Sequence, residues 1–185
     1  MKKWTFLLAC LILLSLFTAC GKAESITPNA ESNSEDKYNT LLTHWCEGQE
    51  YIDEDLAAYP DFYGGLYIDD DQKTVIMITN RKPETLAYYK NLIGLDNVVF
   101  KKVKYSYATL LTEKAIAASR WEECERLYPG AVTGLGISVQ ENAVNLYINT
   151  GLVKENGWRL KKVCKAITDF KSIHIIETAG PDLPA

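Results

Sequence analysis

The chain has 185 residues, with 20 Lys or Arg against 24 Asp or Glu and a formal net charge of −4. That acidic balance argues against general nucleic-acid binding. The length suffices for one ordinary domain or two small ones, and five cysteines without CxxC spacing suggest no metal site.

At the N-terminus Lys2 and Lys3 precede an almost wholly apolar run from Phe6 to Phe17, and Thr18-Ala19 places small residues directly before Cys20. The apolar run is shorter than the roughly 20 residues that a membrane-spanning helix needs. This order resembles the lipobox of bacterial lipoproteins, with Phe17 where that pattern usually has Leu. The resemblance implies a signal peptide over 1–19 and a lipid on Cys20, the first residue of the mature chain. Diacylation with an added N-acyl chain such as palmitate would anchor the protein in the cell envelope, on the extracytoplasmic side of a membrane. Residues 20–37 read as a flexible tether, because Ile26 is the only large apolar residue among Ala, Glu, Ser, Asn, Thr and Pro as far as Asp36. Of the other cysteines, Cys10 leaves with the signal. Cys46, Cys124 and Cys164 allow at most one intramolecular disulfide, and Cys164 lies on an apolar helical stripe where it reads as a small buried hydrophobe.

Structure is expected from near Tyr38, with Leu41, Leu42, Trp45 and Cys46 on one helical face and a short helical turn between Glu50 and Tyr59. The remainder reads as one unit used twice. In the first copy Gly65–Asp69 and Thr74–Asn80 are strands about an Asp-rich turn. Pro83 starts a helix with Leu86, Tyr89 and Ile93 on one face, Gly94 ends it, and Val98–Ser106 is a third strand. In the second copy Val132–Gln140 and Ala143–Thr150 are strands about Glu141-Asn142. A helix carrying Leu160, Val163, Cys164 and Ile167 follows, and Ser172–Glu177 is the last strand. Between the copies Tyr107–Arg126 reads as one long helix buried along Leu111, Ala115, Ala118 and Trp121. The fold class is therefore α+β, with small antiparallel sheets that carry helices on one face and a long connecting helix. The N-terminal unit spans 38–109, and the connecting helix with the C-terminal unit spans 110–185.

No catalytic constellation emerges. His44 and His174 lie in different elements, and nothing places either beside a nucleophile. His174 alternates with Ile173 and Ile175, so it points away from their face. Asp69-Asp70-Asp71 could suit calcium, yet it lacks EF-hand spacing and reads better as an acidic hairpin tip. Lys101, Lys102 and Lys104, with Lys154, Arg159, Lys161, Lys162 and Lys165, read as ordinary charged faces or as a surface for anionic lipid or an acidic partner. The many tyrosines could line a protein-binding sheet face or rim small sheets. The chain is expected to be no enzyme and to carry no cofactor.

Two stretches resemble the pro-domain of alpha-lytic-protease-type secreted serine proteases. One is Phe62-Tyr63-Gly64-Gly65-Leu66-Tyr67-Ile68-Asp69 with the apolar strand Thr74–Thr79 after it. The other is Tyr128-Pro129-Gly130-Ala131-Val132-Thr133-Gly134-Leu135-Gly136-Ile137-Ser138 with Asn142–Ile148 after it. Leu135 stands where the family often has an aromatic residue, and the sequence carries no GDSGG-like nucleophile segment. The resemblance implies binding to a mature protease through the sheet of the C-terminal half, with the tail entering the active-site cleft. Ala179, Gly180, Pro181, Asp182 and Leu183 would then contact the partner, in an extended Pro-rich segment suited to strand pairing; a frayed terminus is the plainer reading of the same residues. The function expected is thus a membrane-anchored protein-binding module, a protease inhibitor or folding helper. The alternative is a structural or envelope-interaction lipoprotein with another envelope protein as partner.

Overall fold

The computed structural model describes residues 34–54 and 57–178. Among them six helices and six strands alternate as expected for an α+β chain. Helix α1 (Ser34–Trp45) buries Leu41, Leu42 and Trp45. It starts four residues ahead of Tyr38 and inside the expected tether, with Ser34 and Lys37 already buried. The Ser34 hydroxyl donates to the carbonyl of Gln72 at 3.1 Å, which ties the helix start to a distant hairpin. Between Glu50 and Tyr59 the described residues form no α-helix.

Strands β1 (Tyr63–Ile68) and β2 (Thr74–Ile78) form an antiparallel hairpin; helix α2 (Pro83–Ile93) then leads to β3 (Val98–Lys102), which pairs parallel with β2. The second copy repeats this order. Strands β4 (Val132–Ser138) and β5 (Ala143–Asn149) are antiparallel, and β6 (Ile173–Thr178) pairs parallel with β5. Both sheets are therefore mixed, which corrects the antiparallel expectation. A helix placed between two strands carries the chain back to the starting edge, so the next strand runs in the same direction. The repeat extends to detail. A register shift falls between Tyr63 and Gly65 in β1, and at the matching place between Val132 and Gly134 in β4.

The crossovers differ. The second holds two short helices, α5 (Thr150–Glu155) and α6 (Leu160–Ile167), where one was expected. Gly157 takes a φ of 65°, which ends the first, and Arg159 is extended before the second begins. The connecting helix is also divided, into α3 (Tyr107–Ser119) and α4 (Trp121–Leu127), at Arg120 with φ −94° and ψ 1°. Its buried residues are Leu110, Ala117 and Cys124, and of the expected stripe Leu111 is half-buried and Trp121 packs half-buried on the second core. Ala115 and Ala118 are exposed.

The described residues belong to one compact unit with two apolar cores. The first gathers Leu41, Trp45, Tyr63, Ile76, Ile78 and Tyr89, and the second Ala117, Cys124, Leu146, Ile148, Val163 and Ile167. Helix α3 joins them: Tyr107 at its start packs on the first core, and Ala117 belongs to the second. It also runs through the expected boundary between 109 and 110.

Five of the eleven tyrosines, Tyr59, Tyr63, Tyr88, Tyr89 and Tyr107, serve the first core. Trp45 lies 4.4 Å from Tyr63 between ring centroids and donates its indole N–H to the Tyr88 hydroxyl at 2.8 Å, while Tyr59 stacks on Tyr63 at 5.3 Å. Burial pushes the Tyr63 and Tyr89 hydroxyls well above their ordinary value, so both stay neutral.

Candidate functional site

The second sheet has a helix-covered face and an open one. Leu135, Leu146 and Ile148 point into the core with α6. Period-2 alternation sends Gly134, Gly136 and Ser138 of β4, Asn145 and Tyr147 of β5, and His174 and Ile176 of β6 to the other side. His174 is exposed and faces away from Ile173 and Ile175, as the alternation predicts.

On this open face Glu141 is a local hub. Hydrogen bonds from Ser138 first, then from Asn145, hold its carboxyl below the ordinary 4.5, and nearby His174 acts in the same direction. The His174 Nδ1 lies 3.7 Å from a Glu141 oxygen. A relay that activates a nucleophile needs the base against the hydroxyl. Here the Ser138 hydroxyl engages the carboxylate instead, so the cluster orders the hairpin turn.

The turn also fastens the two halves. Asn142 takes a φ of 52° and is buried, and its Oδ1 accepts from the N–H groups of Lys104 at 3.2 Å and Tyr105 at 2.8 Å. Its Nδ2 donates to the carbonyls of Tyr105 at 2.8 Å and Gly64 at 3.4 Å. Val139 sits directly on Gly65, where a Cβ would come within 2.6 Å of the valine Cγ1. Beside this joint a cleft of about 390 Å³ opens, with Lys101, Lys104 and Tyr105 from the first half and Glu141, Lys171, Ser172 and His174 from the second. The sequence marked Glu141-Asn142 as a turn and two of these lysines as charged surface. Their convergence depends on contacts across 37 to 78 residues, which no local pattern carries.

Four strand edges end the two sheets. An exposed edge offers unpaired backbone groups to another strand unless bulges or charges blunt it. β1 and β4 carry register shifts, and β3 ends in Lys101-Lys102. β6 reads Ile173-His174-Ile175-Ile176 without a register shift and leaves Ile175 45% exposed, much as β1 exposes Ile68 and β3 exposes Val99.

Cys20 and the residues Ala179, Gly180, Pro181, Asp182 and Leu183 lie outside the described residues, the latter directly after β6. Cys46 and Cys124 are buried free thiols, while Cys164 is partly buried against the second core. At the acidic tip an Asp69 oxygen accepts from the Lys73 N–H at 2.8 Å, and the Lys73 ammonium bonds Asp71 at 3.2 Å. These carboxylates thus organise the hairpin, and no metal-holding cluster of His, Cys, Asp or Glu occurs among the described residues.

A comparison with curated proteins finds no match. Residues 23–103 match the model of a family described as a Pro-like N-terminal domain, so the first unit is similar to that family, in support of the pro-domain resemblance.

Proposed function

We propose that the chain is a non-catalytic, pro-domain-like binding module, anchored through a lipid on Cys20 to the extracytoplasmic side of a membrane, that engages a secreted serine protease as inhibitor or folding helper. The observation that carries this reading is the match of residues 23–103 to a Pro-like N-terminal domain. The duplicated topology, which extends the same architecture through β6, adds to it. The docking element is the β6 edge, which ends its sheet among the described strands and exposes Ile175, features that suit strand addition by a partner. In this reading the segment offered to the partner's active-site cleft is 179–185, the residues that follow β6 in the sequence. The test is inhibition of secreted serine proteases by the full chain. Failure to bind or inhibit any of them, with other envelope proteins recovered as partners, would favour the alternative role in the envelope. Anchoring has its own test: Cys20→Ala is expected to lose the acyl mass and move the protein from the membrane to the soluble fraction.

A further inference from the structure

The cleft beside Asn142 has a charge pattern that the binding role leaves unused. Lys101, Lys104 and Lys171 line it, and none of the three forms an ion pair with a carboxylate among the described residues. Lys101 instead reaches the Gln140 carbonyl at 3.4 Å, and the Lys104 ammonium stands 4.8 Å from the centre of the Tyr105 ring. The one carboxylate in the lining, Glu141, is already engaged by Ser138, Asn145 and His174. Three ammonium groups against one carboxylate leave a surplus of two positive charges, before any protonation of His174.

Two hydroxyls in the same lining lack partners. Ser172 is 1% exposed, and its Oγ is buried with no hydrogen-bond partner among the described residues; the same holds for the Tyr105 Oη. A buried hydroxyl without a partner is costly, and native structures satisfy such groups. The three ammonium groups suit a ligand with several anionic oxygens, and the enclosed, unpartnered Ser172 and Tyr105 hydroxyls lie in the same lining, where a small shift of the cleft wall would let them donate to it. A phosphate monoester supplies two negative charges and three strong acceptors, and it matches both the surplus charge and the donors. A cleft of about 390 Å³ lies within the range of small-molecule sites.

We propose that this cleft binds a phosphate-bearing ligand, with Lys101, Lys104 and Lys171 neutralising the phosphate and the Ser172 hydroxyl fixing its orientation. The ligand joins the two halves of the fold, since Lys101 and Lys104 belong to the first and Lys171 and Ser172 to the second. A free phosphate monoester and a phospholipid headgroup share this chemistry.

The test is titration of the full chain at constant ionic strength with glycerol phosphate, with acetate as control, followed by calorimetry. Vesicles of phosphatidylcholine with and without phosphatidic acid form the second arm. Saturable binding of glycerol phosphate but not acetate is expected, and Lys171→Met weakens it about tenfold. Ser172→Ala weakens binding while its melting temperature stays unchanged or rises, because the substitution removes an unsatisfied buried hydroxyl. Binding of phosphatidic acid vesicles alone, lost in Lys171→Met, supports the site and assigns the phosphate to a lipid. No saturable binding in either arm, or binding that survives both Lys171→Met and the Lys101→Met/Lys104→Met pair, overturns the proposal.

Discussion

The Asn142 side chain grips the Tyr105 backbone at both ends, accepting from its N–H and donating to its carbonyl, each at 2.8 Å. It thereby closes the joint between two units that are each too small to bury much alone. Asn142→Ala leaves buried backbone groups unpaired and also puts alanine at a φ of 52°. We expect a loss of about 3 kcal/mol in urea denaturation. Asn142→Gly loses the same hydrogen bonds without the left-handed strain, so it is expected to be about 1 kcal/mol less damaging. Equal stability of wild type and both variants would show that the staple contributes nothing.

Gly64 and Gly65 are constrained for different reasons. A Cβ on Gly64 collides with the Val103 side chain, whereas one on Gly65 meets Val139 at a φ of 121°. Each Gly→Ala change is expected to cost about 2 kcal/mol or more. The Val103→Ala partner should recover most of the loss at Gly64, while Val139→Ala recovers only the steric part at Gly65. Double-mutant cycles measure the difference, and equal rescue at both sites would remove the backbone argument.

The repeat itself was legible, because hairpins with β-branched strands and a Pro-started helix leave strong local signals, as at Thr74–Ile78 and Pro83–Ile93. Strand direction was missed although it follows from the same elements: a helix between β2 and β3 returns the chain to run parallel. In the connecting helix Trp121 meets the second core as its pattern predicts, but Leu110 and Leu111 are both apolar and only packing against two cores selects Leu110. Of the tyrosines that could line a binding face or rim small sheets, Tyr63 and Tyr89 are core and Tyr59, Tyr88 and Tyr107 border it, since composition does not say which side of a sheet is covered. The open face of the second sheet was partly readable through His174. The cleft was not, because Lys171 and Ser172 carry no local signal of their proximity to Lys104.

The Glu141 carboxyl, held low by hydrogen bonds from Ser138 and Asn145, binds its proton less readily in the fold than in the unfolded chain. Its contribution to stability is therefore present above the ordinary carboxylate range and lost as pH falls through the lowered value. Urea midpoints measured from pH 7 down to pH 3 are expected to fall less steeply in Glu141→Gln than in wild type. Parallel profiles would contradict the hydrogen-bonded turn.

Burial pushes the Cys124 thiol up to about 11, and its side chain is almost fully enclosed. At pH 8 a disulfide reagent is expected to modify Cys164, which is partly exposed, well before Cys124 or the buried Cys46. Denaturant should make all three equivalent. Rapid labelling of Cys124 in the native chain would show that the second core opens readily.

Binding through the β6 edge is tested most directly by inhibition constants of the full chain against secreted serine proteases, compared with Ile175→Lys and with a deletion of Gly180–Ala185. A charge on an edge strand discourages pairing without disturbing the core, and Ile175 is exposed enough to accept it. The account predicts saturable inhibition by the intact chain, weakened about tenfold or more by each change, with melting temperatures preserved. No inhibition by the intact chain, or inhibition indifferent to both changes, would contradict it.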